Sequence, residues 1–189
     1  MTERKKYELT DEFIEHWSGK KLYRIKALID FGLVVAGSLG GFVESENNLD
    51  HNGNAWVSGN ARVYGDAWVS GNAEVSGNAW VSGNAWVSGN AWVSGNAWVS
   101  GNAWVSGNAE VSGNALVYER RSIIWFSVVG TENGTLTVYK SKDGSLLATR
   151  GCFSGTVDEF LSKSAKVHDE KTKREYELLI EVAKSRILG

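Results

Sequence analysis

Between Ala55 and Tyr118 the chain repeats one six-residue phrase without losing phase, and five consecutive copies, residues 79–108, read AWVSGN with no change. Alanine recurs at 55, 61, 67, 73, 79, 85, 91, 97, 103, 109 and 115, and a valine follows each two residues later, from Val57 to Val117. Between them stand Trp56, Arg62, Trp68, Glu74, Trp80, Trp86, Trp92, Trp98, Trp104, Glu110 and Leu116. Two invariant positions around a variable one separate an inside from an outside. Strand side chains alternate faces, so Ala and Val point one way and the intervening residue the other. The residue after Val, usually Ser but Tyr64 and Tyr118 in two units, points outward as well. Gly-Asn then turns the corner, since both residues tolerate positive φ.

A unit this short cannot bury its valine alone and must stack on its own copies. Three units make one triangular coil, and successive coils sit about 4.8 Å apart. Taking every third variable residue predicts three outward columns. One holds Trp56, Glu74, Trp92 and Glu110, the second Arg62, Trp80, Trp98 and Leu116, the third Trp68, Trp86 and Trp104. Rings one coil apart can stack in offset fashion. Stacking hides only part of each ring, and exposed apolar area of this kind marks binding or assembly surfaces. Three roles are open for the columns: self-stacking alone, burial against another subunit, or a platform for a flat ligand such as a base or sugar.

Composition narrows the setting. The 189 residues carry a net charge of −2, which disfavours nonspecific nucleic-acid binding, and they include 22 glycines, nine tryptophans and no proline. A single cysteine, Cys152, permits no internal disulfide and suits a reducing cytoplasm. No apolar run approaches the roughly 20 residues of a membrane span, and the start, MTERKKYELTDEF, has no signal-peptide character. No membrane partner is expected.

An aliphatic residue preceded two positions earlier by a small one, kept through eleven units, resembles the hexapeptide-repeat left-handed parallel β-helix family. The left hand of the coil is implied by that resemblance. The stretch LYRIKALIDFGLVVAGSLGGFVESENNL followed by GNA-x-V units resembles a group of uncharacterised phage and prophage proteins, and more weakly bacterial hexapeptide transferases. The first resemblance implies a habit of trimerisation, with a dimer as the alternative, and the second implies a place inside a bacterium carrying the phage.

Residues 1–54 read as an N-terminal cap and irregular first coil, 55–120 as the solenoid, and 121–189 as a small C-terminal βββαα domain. KKYELTDEFIEHW suits a short strand or helix, and KLYRIKALIDF a strand. Leu49 is two residues out of phase with Val57, which predicts an insertion near His51–Gly53. Past Arg121, SIIWFSVV, TLTVYKS and SLLATRG form a three-stranded meander with turns at Glu132–Gly134 and Lys142–Gly144. Thr156-Val-Asp-Glu159 is a capping box opening a helix to about Val167, and a second helix starts near Glu170 with Tyr176, Leu179, Ile180, Ala183 and Ile187 on one face.

Chemistry finds little purchase. Hexapeptide acyltransferases use a histidine in a cleft between subunits, yet His16, His51 and His168 all lie outside the array. His51, at the irregular corner, is the best of the three. Cys152 reads as a buried structural thiol, with His168 its nearest activating partner in sequence. No zinc spacing, phosphate loop or dinucleotide fingerprint is present, and no metal or cofactor is expected. The leading expectation is a non-catalytic scaffold or binding protein that assembles through Trp56, Trp68, Trp80, Trp86, Trp92, Trp98 and Trp104, with a small-molecule or host-protein ligand open. One alternative is a phage counter-defence protein that sequesters a nucleotide-like signal, its phosphate near Arg62, Arg120 or Arg121. The other is an acyltransferase relative.

Overall fold

The computed structural model describes residues 5–189. Its solenoid strands are two residues long: β4 (Trp56–Val57), β5 (Arg62–Val63), β6 (Trp68–Val69), β7 (Glu74–Val75), β8 (Trp80–Val81), β9 (Trp86–Val87), β10 (Trp92–Val93), β11 (Trp98–Val99), β12 (Trp104–Val105), β13 (Glu110–Val111) and β14 (Leu116–Val117). Preceding them are β1 (Tyr7–Glu15), β2 (Lys21–Ala27) and β3 (Leu39–Val43). Each solenoid strand pairs in parallel with the strand three further on, giving the faces β5-β8-β11-β14, β4-β7-β10-β13 and β6-β9-β12. Every pairing sets a repeat position on the same position one coil away, as Trp80 opposite Trp98 and Val81 opposite Val99, or Trp92 opposite Glu110. The predicted three columns are therefore the observed ones. The valines of the array are fully buried and the alanines at most 1% exposed; each such valine contributes roughly 1.5–3 kcal/mol of burial.

The corners divide the work differently from the expectation. Only glycine takes the left-handed conformation, Gly83 at φ +64° for example. The asparagines instead hydrogen-bond to one another up the solenoid: Asn54 Nδ2 donates to Asn72 Oδ1 at 3.2 Å, and Asn72 Nδ2 to Asn90 Oδ1 at 3.1 Å.

The first coil is irregular where predicted. Val43 pairs with Val63 and Leu49 with Val69, each in the place a repeat valine would take. The eight-residue step from Leu49 to Val57 absorbs the insertion in a turn at 51–54, tightened by Asn52 N donating to Asp50 Oδ1. KKYELTDEFIEHW supplies a strand, not a helix, and β1-β2-β3 run antiparallel, extending one solenoid face.

After Val117 come β15 (Ile123–Val129), β16 (Gly134–Lys140), β17 (Leu146–Arg150) and β18 (Phe153–Thr156), then α1 (Val157–Val167) and α2 (Glu170–Leu188). The sheet has four strands, one more than predicted. β18 is a four-residue edge strand paired with β17, too short to announce itself between Cys152 and the helix cap. Thr156 caps α1 with Glu159 as expected. Tyr176, Ile180, Ala183 and Ile187 of α2 are buried against β15–β18, with Leu179 partly so.

Candidate functional site

The outward tryptophans are not equally available. Trp56 is only 7% exposed, because Phe31 and Tyr7 meet its ring edge-on at 5.3 and 6.4 Å. The expectation that every ring of the three columns lies open is corrected at this position: the N-terminal segment closes over it. Trp68 and Trp80 are half-buried, Trp80 beneath His16 and Tyr64. Trp86, Trp92, Trp98 and Trp104 are 40–47% exposed. They sit in two successive coils and span all three faces, so the open aromatic surface is a girdle around the middle of the solenoid.

Stacking orders these rings. Trp80 and Trp98 lie 5.1 Å apart at 12°, and Trp86 and Trp104 5.8 Å apart at 17°. Indole N–H groups need acceptors, and the repeat supplies them: Trp92 Nε1 donates to Ser76 Oγ at 3.1 Å and Trp86 Nε1 to Ser70 Oγ at 3.5 Å. Ser70 and Ser76, each following a repeat valine, thus orient a ring of the next coil. The spacing between Trp and Ser carried that signal in the sequence, but only the coil length makes it readable. Cations close the column ends: Arg62 lies over Trp80 at 5.0 Å, Lys142 over Trp98 at 4.5 Å and Arg120 over Trp104 at 5.3 Å, each contact contributing about 0.5–1 kcal/mol.

The three arginines considered as phosphate contacts do not gather. Arg62 and Arg120 are engaged with different columns, and Arg121 pairs with Glu119 at 2.9 Å. Beside Trp80 and Trp98, however, a cavity of about 180 Å³ opens, walled by Trp17, Tyr64, Ser82 and Ser100; Trp17 stands 85% exposed at its edge.

None of the histidines belongs to a solenoid strand, although His16 packs over Trp80 on one face. His51 stacks on Tyr7 at 4.3 Å and its Nδ1 accepts from Lys6 N, which makes it a strut of the first coil. His16 is buried at 7% exposure with its Nδ1 2.7 Å from Ser18 Oγ, and burial holds its pKa below the usual imidazole value. His168 caps α1. Cys152 is exposed, correcting the expectation of a buried thiol: the turn between β17 and β18 lifts it out of the sheet. Among the described residues no group of three or more His, Cys, Asp or Glu side chains is placed to hold a metal ion, and no helix is long and apolar enough to cross a membrane.

The array is similar to the YdcK Beta solenoid repeat. That family's sequence model matches residues 55–71, 73–89, 79–95, 85–101 and 91–107. The matched segments lie wholly within the solenoid and cover less than half of the chain, so the relation is one of repeat and fold. No curated protein matches the chain. The chain is thus a β-solenoid related to that repeat, with aromatic clusters on its surface and a small mixed β-α unit at its C-terminus.

Proposed function

We propose that this protein is a non-catalytic scaffold that self-associates through its tryptophan girdle. The observation that carries the reading is the exposure of Trp86, Trp92, Trp98 and Trp104 at 40–47% in adjoining coils. A soluble surface seldom leaves such rings open without a partner. A stable interface buries about 800 Å² per partner, several times what one pair of rings offers. The serine and asparagine rows beside the rings must join it. Because the girdle spans all three faces, a trimer using two adjoining faces of each protomer fits it better than a dimer using one. Division at residues 54 and 120, into cap, solenoid and C-terminal domain, belongs to the same proposal. So does a phage or prophage origin with a site of action in the bacterial cytoplasm; both rest on the resemblance of the N-terminal stretch and its GNA-x-V units.

Native mass spectrometry of freshly purified protein is the test. A discrete oligomer that falls to monomer in the Trp68/Trp86/Trp104→Thr variant supports assembly through that column. An unchanged oligomer moves the interface to another face, and a monomeric wild type overturns the reading.

A second reading is supported by the cavity between Trp17, Tyr64, Trp80 and Trp98. Its flat walls suit a base or another planar ligand, with Arg62 close by over Trp80. Retained mass of a few hundred daltons in the same spectrum, lost in Trp98→Ala, would favour sequestration of such a ligand over assembly alone. The acyltransferase alternative gains nothing from the histidine positions.

A further inference from the structure

The C-terminal unit holds a cavity of about 250 Å³ lined by no residue of the solenoid, between the turn that follows β17 and the two helices. Its walls are aromatic. Phe153 and Phe160 pack at 5.3 Å and 58°, and Phe160 meets Tyr176 edge-on at 5.0 Å. Its polar lining is rich in donors. Arg150, at the end of β17, has an 11% exposed side chain; its Nη2 donates to Val129 O at 3.2 Å. Its Nη1 reaches Glu132 only at 3.5 Å, and that carboxylate is 80% exposed. Arg150 Nε is buried with no hydrogen-bond partner, and so is the hydroxyl of Ser164, a residue 4% exposed. Lys163 holds its ammonium 5.5 Å from the Phe153 ring centre, and His168 completes the rim.

Folded proteins seldom leave buried donors unpaired, because the lost solvation is not recovered. Here two such groups line one cavity, beside a lysine and a histidine, and the carboxylate on its rim, Glu132, lies mostly in solvent 3.5 Å from Arg150 Nη1. Arginine in a sheltered site is suited to a carboxylate, which it can grip with parallel N–H groups. The cavity falls below the roughly 300 Å³ at which drug-sized sites begin, so its occupant is small. We infer that this cavity binds a small organic carboxylate, its acid group on Arg150, Lys163 and Ser164 and its apolar body against Phe153, Phe160 and Tyr176.

The sole cysteine gives the assay. Cys152 lies exposed among the lining residues, so an occupant should shield it. The rate of iodoacetamide alkylation of the full chain is followed by intact mass, with millimolar 3-phenylpropionate or its neutral amide as probe. The acid is expected to slow alkylation and the amide to leave it unchanged. Arg150→Gln and Lys163→Gln should each weaken protection about tenfold. Arg150 also anchors Val129, so Lys163→Gln, an exposed position on α1, is the deciding variant if the arginine substitution prevents folding. Ser164→Ala should raise the thermal midpoint of the unliganded chain and weaken protection. Equal protection by acid and amide, no protection by the acid, or full protection retained in Lys163→Gln overturns the inference. None of these outcomes depends on the tryptophan girdle.

Discussion

Gly83 and Gly113 occupy the same position of the repeat at different corners of the solenoid, at φ +64° and +65°, and a Cβ at each meets different surroundings. Above Gly83 lies the next coil: an added Cβ would stand 2.9 Å from Gly101 N and 3.3 Å from its Cα. Above Gly113 the nearest atom is Leu147 Cδ1 at 3.9 Å, an ordinary contact. Replacing either by alanine costs the left-handed penalty, about 1–2 kcal/mol. Gly83→Ala must also push two coils apart by about 0.5 Å to restore normal contact, straining the 2.8 Å bond from Asn84 N to Gly101 O. Overpacking of this kind adds about 1–3 kcal/mol. The expected losses are therefore about 1–2 kcal/mol for Gly113→Ala and roughly 2–5 kcal/mol for Gly83→Ala. Urea unfolding, followed together by far-UV circular dichroism and tryptophan fluorescence, measures both, provided the two probes coincide and the slope m is shared. Equal losses would refute the reasoning, since they would mean that coil spacing does not demand the glycine.

Asn72→Ala removes two side-chain bonds from an exposed ladder, and the same titration should show a loss of about 1 kcal/mol. Burial beneath the C-terminal sheet raises the Glu110 pKa, so the folded chain holds that proton more tightly than the unfolded one. Its favourable contribution is present below the unfolded value, about 4.3, and is lost as pH rises through the folded one. Glu110→Gln should thus raise the melting temperature at pH 7 and gain little near pH 4, as a calorimetric pH series would show. Burial lowers the Lys6 pKa to about 8 against a weaker opposing pull from Asp50. Between about 8 and the unfolded value the unfolded chain binds the extra proton, so stability attributable to Lys6 should rise across that window. Nitrogen-detected NMR of Nζ, with a midpoint near 8, checks it; a midpoint at the free-lysine value would refute the burial argument.

The solenoid was legible because its inward positions tolerate nothing but Ala and Val: phase alone gave the coil, the columns and the insertion before Val57. What lay hidden depends on contacts between distant segments. Nothing local at Trp56 says that Phe31 and Tyr7 will cover it. The asparagine rows are bonds between residues 18 apart, which exist only once the coil length is known. The strand Phe153–Thr156 pairs only with β17, and the exposure of Cys152 follows from that turn. The two buried donors, Arg150 Nε and Ser164 Oγ, leave no trace in sequence, since an unpaired group is a property of its surroundings.

The ends of the solenoid explain why its open surface lies in the middle. Stacking uses the amides of each coil on the carbonyls of the next, as in Trp56 N to Ala73 O. The first coil therefore keeps free carbonyls and the last free amides, and either edge could add strands indefinitely. The caps answer with polar side chains at each edge. At the first coil, donors arrive: Lys6 Nζ to Ala55 O at 2.7 Å and Tyr7 OH to Leu49 O at 2.8 Å. At the last, acceptors arrive together with donors: Thr137 Oγ1 takes the amide of Glu110 at 3.1 Å and the Tyr139 hydroxyl that of Ser112 at 3.0 Å, while Thr149 Oγ1 donates to Glu110 O at 2.6 Å. This also accounts for a lysine buried at an apolar edge, where its Nζ donates to a carbonyl that has no partner in the array. With growth along the axis met by side chains at both ends and by the antiparallel β1 and β2 on one face, the direction left for association is sideways, onto the faces where Trp86, Trp92, Trp98 and Trp104 stand open.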